Sequence, residues 1–206
     1  IHIQQANGGL ITPESIDKRC LQLINSGPAA GVVGAKRAGE ASEIGDIITL
    51  DMGGTSADTS VVRDGSIEMT TTGTINEIPL LFPQIDVRTV GAGGGSIAWL
   101  DQSNVLKVGP KSAGSQPGPA CYGRGGEEPT VTDAALVLGY LDPEYFLGGE
   151  MHLDPKAARR AFEPVCDELG LNLEALADGV LDIVTNNMMR AIRLVTVEKG
   201  YDPRTF

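Results

Sequence analysis

Ile47-Ile48-Thr49-Leu50-Asp51-Met52-Gly53-Gly54-Thr55-Ser56-Ala57-Asp58-Thr59-Ser60-Val61-Val62 is the stretch whose reading decides the fold. Two β-rich apolar runs flank a Gly-Gly pair followed by two hydroxyl residues, a pattern that predicts strand, tight turn, strand. The turn chemistry suits a polyphosphate. Glycines let the backbone approach an anion closely, Thr55 and Ser56 offer hydroxyl and amide donors to phosphate oxygens, and Asp51 supplies a hard oxygen charge to orient Mg2+ through water. Asp58 emerges on the return strand. A plain Gly-Gly turn capped by Thr and Ser is the other reading of the same residues. The acidic residue at the strand end favours the phosphate reading.

Upstream, Ser26 to Gly39 reads as a helix of small residues, with Ser26 a candidate cap and Pro28 in the first turn. Downstream, Ile85 to Val90 alternates as a half-buried strand should, and a glycine run, Gly91 to Gly95, follows it. Gly93 and Gly94 in that run are candidate contacts to phosphate or substrate; a bulge or a tight crossing explains them equally well. Ser96 to Leu100 and Val105 to Val108 predict a hairpin turning through Asp101-Gln102-Ser103-Asn104. From Gly109 to Asp133 the chain is rich in Gly and Pro without an apolar period, which reads as a functional loop. Cys121, Tyr122 and Arg124 within it point to an active-site or interface role, against that of a Pro-stiffened surface loop.

Asp133 is placed as the cap of a helix over Ala134 to Leu141, in preference to a metal or substrate ligand. Asp154-Pro155 opens a second helix through Leu169, closed by Gly170 and expected to kink at Pro164. The apolar stripe Leu176, Val180, Ile183, Val184, Met188, Ala191, Ile192, Val195 marks a last helix, stopped by Gly200 and Pro203. The chain thus divides into a phosphate-loop sheet region (1–108), a Gly/Pro-rich loop (109–133) and a helical region (134–206).

Composition narrows the function. The 206 residues carry 16 Lys+Arg against 27 Asp+Glu, a formal charge of −11, so neither nucleic acid nor an anionic membrane is an expected partner. No apolar run approaches the ~20 residues of a spanning helix. Three widely spaced cysteines, Cys20, Cys121 and Cys166, argue for a reducing compartment, the cytoplasm. With only His2 and His152, no Cys-x-x-Cys and no His-Glu-x-x-His, the usual zinc sites are excluded. No Gly-x-Ser-x-Gly elbow occurs, and Cys121 reads as a loop thiol rather than a nucleophile. No lysine follows a glycine, so the P-loop pair is absent, and Gly91-Ala92-Gly93-Gly94-Gly95-Ser96 misses the dinucleotide fingerprint at its last position.

Asp51 to Asp58, following the helix that contains Gly27-Pro28-Ala29-Ala30-Gly31, resembles the second phosphate loop and connecting helix of the actin, sugar kinase and heat-shock chaperone ATPase superfamily. A closer resemblance is to the hydantoinase A/5-oxoprolinase family. It is carried by Val90-Gly91-Ala92-Gly93-Gly94-Gly95-Ser96-Ile97-Ala98, Val108-Gly109-Pro110-Lys111-Ser112-Ala113-Gly114, Pro117-Gly118-Pro119-Ala120-Cys121-Tyr122-Gly123 and Pro129-Thr130-Val131-Thr132-Asp133-Ala134. It extends through Phe146-Leu147-Gly148-Gly149 and Gly200-Tyr201-Asp202-Pro203-Arg204, nearly the whole chain. The fold this implies is α/β, a ribonuclease H-like (actin-like ATPase) lobe with a mixed sheet and flanking helices.

The activity it implies is an ATP-dependent amidohydrolase that phosphorylates the oxygen of a cyclic amide such as 5-oxoproline or hydantoin, with ATP and Mg2+ as cofactors. A hydantoinase B-type subunit or domain is the implied partner. Relatives that carboxylate ketones share the phosphoryl-transfer step. On this reading Asp51 and Asp58 are catalytic, Asp51 also orients the metal, and Gly53, Gly54, Thr55, Ser56, Gly93 and Gly94 hold the nucleotide. The family's opposing amino-terminal phosphate loop is missing, as is the Gly-Gly-Ala-Gly segment expected shortly after Phe206. The chain, whose first residue is Ile, is therefore expected to be an incomplete piece, inactive alone. Two other classes remain open: a non-catalytic nucleotide-binding module, and a subunit-interaction module docking through its acidic surface and terminal helix.

Overall fold

The computed structural model describes residues 1–75 and 78–206. The chain forms two compact units, one of Ile1–Asp51, Asp58–Thr89 and Ala191–Phe206, the other of Met52–Ala57 and Val90–Arg190.

In the first unit the strands Arg88–Val90, Ala57–Arg63 and Ile47–Met52 lie side by side in that order, and Ser66–Ile67 pairs antiparallel with Ala57–Arg63. The predicted strand, turn, strand is thus present. Thr49 staples the two long strands: its hydroxyl accepts from the Ser60 amide at 2.9 Å, and its carbonyl accepts from the Thr59 hydroxyl at 2.7 Å. The helix Ser26–Ala41 packs Ala29 and Val32 against Val62 and Ile85, with Val33, Ile47, Ile67 and Val87 around them. One of its glycines, Gly39, has a steric reason. A β-carbon on Gly39 would collide with the Ile47 side chain and stand 2.8 Å from the Ile44 carbonyl oxygen. Ser26 is not the cap; Asn25 holds that position in a left-handed conformation (φ 60°).

The strand expected over Ile85–Val90 is interrupted, giving Gln84–Ile85 and Arg88–Val90. The Asp86 amide turns to the Glu68 carbonyl (3.0 Å), and the Asp86 side chain, almost fully buried, meets Lys199 at 2.6 Å. Tyr201 donates to Glu68 at 2.9 Å and stacks under the Arg63 guanidinium, 4.5 Å from its ring centroid. An ionic demand beside the sheet outweighed the alternation of the sequence.

In the second unit the antiparallel hairpin Ser96–Leu100/Leu106–Ser112 pairs Ala98 with Val108 and runs further than expected on its second strand. Its turn is the predicted one: the Asp101 carboxylate accepts from the amides of Val105 and Ser103, and those bonds hold its carboxyl below the ordinary range. The helix Leu173–Val195 lays Leu176, Ala177, Val180, Val184 and Met188 against Ala98, Val108, Ala134 and Phe162. Burying such a stripe is what holds an amphipathic helix in place. The helix Pro155–Leu169 begins and ends as expected, with Asp154 capping it from Lys156 N (2.8 Å) and Gly170 closing it at φ 64°, and it continues through Pro164 as one element. The helix expected over Ala134–Leu141 is instead Val131–Val137, because Thr130 rather than Asp133 is its N-cap and Gly139 (φ 78°) lies beyond its end. Among the described residues no helix is long and apolar enough to cross a membrane.

Candidate functional site

Asp51 ends the strand Ile47–Met52 and is exposed. Its Oδ2 atom would be 3.4 Å from a β-carbon on Gly31, so the carboxylate lies close beside the neighbouring helix. A cleft of about 360 Å3 brings Asp51 and Asp58 together, lined also by Pro28, Gly31, Leu50 and Val87. Asp58 is half-buried and accepts the Thr89 hydroxyl at 2.5 Å, which fixes its orientation. No group of three or more His, Cys, Asp or Glu side chains able to hold a metal occurs among the described residues. Two carboxylates in one cleft suit Mg2+, which keeps several waters and takes one or two carboxylates together with substrate phosphates.

In the second unit the loop Gly53–Ser56 closes on itself through Gly53 N to Ser56 O at 2.8 Å. The glycine run supports it. Gly94 N donates to Gly53 O (3.0 Å), Gly95 N donates to Gly54 O (2.6 Å), and a β-carbon on Gly93 would stand 2.6 Å from Thr55 N and 2.7 Å from Ser56 N. Ser96 folds the run, its hydroxyl accepting from Gly93 N at 2.9 Å. Thr132 clamps it from the first turn of the helix Val131–Val137, amide and hydroxyl both 2.8 Å from Gly94 O.

The carbonyls of Gly53, Gly54 and Ser56 are thus engaged while, within this unit and among the described residues, the amides of Gly54, Thr55 and Ser56 have no protein acceptor. Three such amides in an exposed loop can take an external acceptor such as an anion. Of the residues expected to contact the nucleotide, Gly53, Gly54, Thr55 and Gly94 line one cleft of about 730 Å3, whereas buried Gly93 and half-buried Ser56 do not.

The far wall of that cleft is Tyr122, Phe146 and Leu147. Sequence reasoning gave Tyr122, with Cys121 and Arg124, an active-site or interface role in the loop without saying which, and gave the other two no role. What places Tyr122 is Asp133, which is fully buried. One Asp133 oxygen accepts from Cys121 N (2.8 Å) and the other from Ala120 N (3.2 Å), Thr130 N (2.9 Å) and Thr130 Oγ1 (2.7 Å). Asp133 is therefore both the third residue of a capping box and the anchor of the Ala120–Tyr122 turn. Burial, then the nearby Asp133 charge, pushes the Cys121 thiol far above its ordinary range, so it is no nucleophile. Burial also raises the Tyr122 phenol. His152 is exposed and lies 3.3 Å from Glu144.

The model of the hydantoinase/oxoprolinase family matches residues 1–206. The chain is 43% identical over 203 residues to the caprolactamase subunit alpha of Pseudomonas jessenii, covering 98% of this chain and 29% of that protein. The crystal structure of the ATP-dependent caprolactamase from Pseudomonas jessenii superimposes with a TM-score of 0.86 over 98% of this chain and 30% of that one, at 43% identity. A nucleotide-free structure of acetone carboxylase, described under a mechanism of ATP-dependent acetone carboxylation, gives 0.89 over all of this chain and 29% of that one, at 33% identity. The chain spans less than a third of the length of these proteins. The α/β, actin-like reading of the fold agrees with these likenesses.

Proposed function

This chain belongs to the hydantoinase/oxoprolinase family, and we propose that, within a longer protein, it forms the phosphate-binding part of an enzyme that uses ATP to phosphorylate the oxygen of a cyclic amide. The observation that carries the proposal is the Gly53–Ser56 loop, pinned through its carbonyls and open at its amides. Those amides and the Thr55 hydroxyl would hold phosphate oxygens. Asp51 would orient Mg2+ through water, and Asp58, held by Thr89, would keep that water network in register. Gly93 and Gly94 act beneath and beside the loop, keeping its backbone rigid. When bound, Mg-ATP supplies the phosphoryl group, whose bond to ADP breaks as a bond to the amide oxygen forms, leaving the carbonyl carbon open to water. Donors fixed in advance contribute most to such a transfer, because charge moves onto oxygens whose positions are known.

A B-type partner subunit accords with the relative named as a subunit alpha. The three cysteines are free, in keeping with a cytoplasmic location. A second reading, the ATPase subunit of a ketone carboxylase, draws on the likeness to acetone carboxylase. One experiment separates the readings: phosphate release by the full-length protein with its partner subunit, over hydantoin, N-methylhydantoin, caprolactam, 5-oxoproline, and acetone with bicarbonate. Stimulation by a cyclic amide that Asp51→Ala abolishes is the expected result. Stimulation by acetone with bicarbonate alone selects the carboxylase. ATP binding without stimulated release would leave a nucleotide-binding module.

A further inference from the structure

The cleft that begins at the Gly53–Thr55 loop ends on a wall with features that phosphate binding leaves unexplained. Tyr122 and Phe146 stand with ring centroids 5.8 Å apart, tilted by 42°, on the small core of Cys121, Leu136, Leu153 and Ala158. Beside them Leu147 is 64% exposed and adopts φ 51°, followed by Gly148 at 71° and Gly149 at 90°. A leucine in the left-handed region is strained, and this one belongs to none of the core clusters among the described residues. The conformation is maintained from behind, by Gly149 N and Met151 N donating to Phe146 O at 3.1 and 3.3 Å.

None of the residues this chain contributes to the cleft is charged: the polar groups are backbone and the hydroxyls of Thr55, Ser115, Tyr122 and Thr132. Arg124 lies over the Tyr122 ring at 5.8 Å and is not part of the lining. The raised Tyr122 phenol stays protonated at neutral pH and so remains a neutral donor.

We infer that the Tyr122, Phe146 and Leu147 wall receives the hydrocarbon face of an uncharged cyclic amide, while its carbonyl points towards the Gly53–Thr55 end of the cleft. This inference rests on the phosphoryl-transfer reading above. It divides the family's ring substrates by charge. A ring bearing a carboxylate, such as 5-oxoproline, would bring a charge against apolar and neutral surface, with no cation among the residues this chain contributes to the lining and Arg124 held over the Tyr122 ring, and is disfavoured. Leu147 sets the fit of the ring.

The test uses the full-length protein with its partner subunit and measures steady-state phosphate release. Hydantoin or caprolactam is expected to exceed 5-oxoproline in kcat/KM by about tenfold or more. Leu147→Gly removes the side chain at a φ that glycine adopts freely, so the fold is retained, and it is expected to raise KM for the uncharged ring about tenfold with KM for ATP unchanged. A rise in the ATP KM instead would assign the wall to the nucleotide and overturn the inference. So would unchanged KM values for both. Release driven by 5-oxoproline and not by uncharged rings would refute the inference while leaving the phosphoryl-transfer reading intact. Release driven by no cyclic amide would refute that reading itself, and the inference with it.

Discussion

A β-carbon added to Gly93 would stand 2.6 Å from the backbone nitrogen of Thr55. Real β-carbons do not approach backbone so closely, so Gly93→Ala must displace the loop that it supports. Overpacking of this kind costs about 1 to 3 kcal/mol. The expected result is a modest loss of thermal stability and a larger loss of ATP turnover, with KM for ATP raised. Turnover equal to wild type would show that the loop does not need this support.

Asp133→Asn retains shape but replaces one acceptor oxygen by a donor facing a backbone amide. Hydrogen bonds to a charged group contribute about 1.5 to 3 kcal/mol each, so a loss of about 3 kcal/mol is expected in urea denaturation. Tyr122 should loosen with the Ala120–Tyr122 turn, visible as faster hydrogen exchange at Cys121 N.

The thiols should separate by reactivity. Cys20 is exposed and should react with Ellman's reagent at once at pH 8, whereas buried Cys121 should react only on unfolding. The sign of the pH effect follows from the raised Cys121 thiol. Its burial contributes stability that is complete below the unfolded-state pKa of ~8.5 and is progressively lost as pH rises above that value. Cys121→Ala should therefore flatten the decline in stability between pH 8 and 10.

Lys199→Met removes the cation 2.6 Å from Asp86 and 3.9 Å from Glu68, leaving Asp86, among the described residues, Arg88 at 3.3 Å. Breaking a fully buried pair costs about 3 to 5 kcal/mol; Lys199 is about a quarter exposed, and about 2 kcal/mol is expected after screening. Lys36→Met, at an exposed i,i+4 pair with Glu40, should change stability by less than about 0.5 kcal/mol. Equal effects from both would mean that Asp86 is solvated in solution.

Thr89→Val deletes the hydroxyl that fixes Asp58. Asp58 would then swing freely in the cleft it shares with Asp51. ATP turnover is expected to fall about tenfold, as for a misoriented supporting group, with little change in stability. No change in turnover would take Asp58 out of the proposed machinery.

Local chemistry was the legible part of this protein. The strand, turn, strand at Ile47 to Val62, the Asp101 turn and the Asp154 to Gly170 helix each depend on residues within a few positions of one another. The misplaced elements have two causes. The break at Asp86 and Val87 answers to Lys199, more than a hundred residues away, whereas the helix expected after Asp133 starts earlier because Thr130 and Asp133 form a local capping box that places Asp133 inside the first turn.

By itself the sequence determined the strand, turn, strand at Ile47 to Val62, the Asp154 cap and the glycine-hydroxyl signature of the Gly53–Ser56 loop, because these follow from backbone preference and hydrogen bonds over a few residues. Only tertiary structure decided what the glycine run does, with Gly94 and Gly95 donating to the loop's carbonyls and Gly93 pressed beneath its amides. Tertiary structure alone also decided that Tyr122, Phe146 and Leu147 form one wall. Contacts between residues tens of positions apart depend on how the elements pack, and packing leaves no local period in the chain.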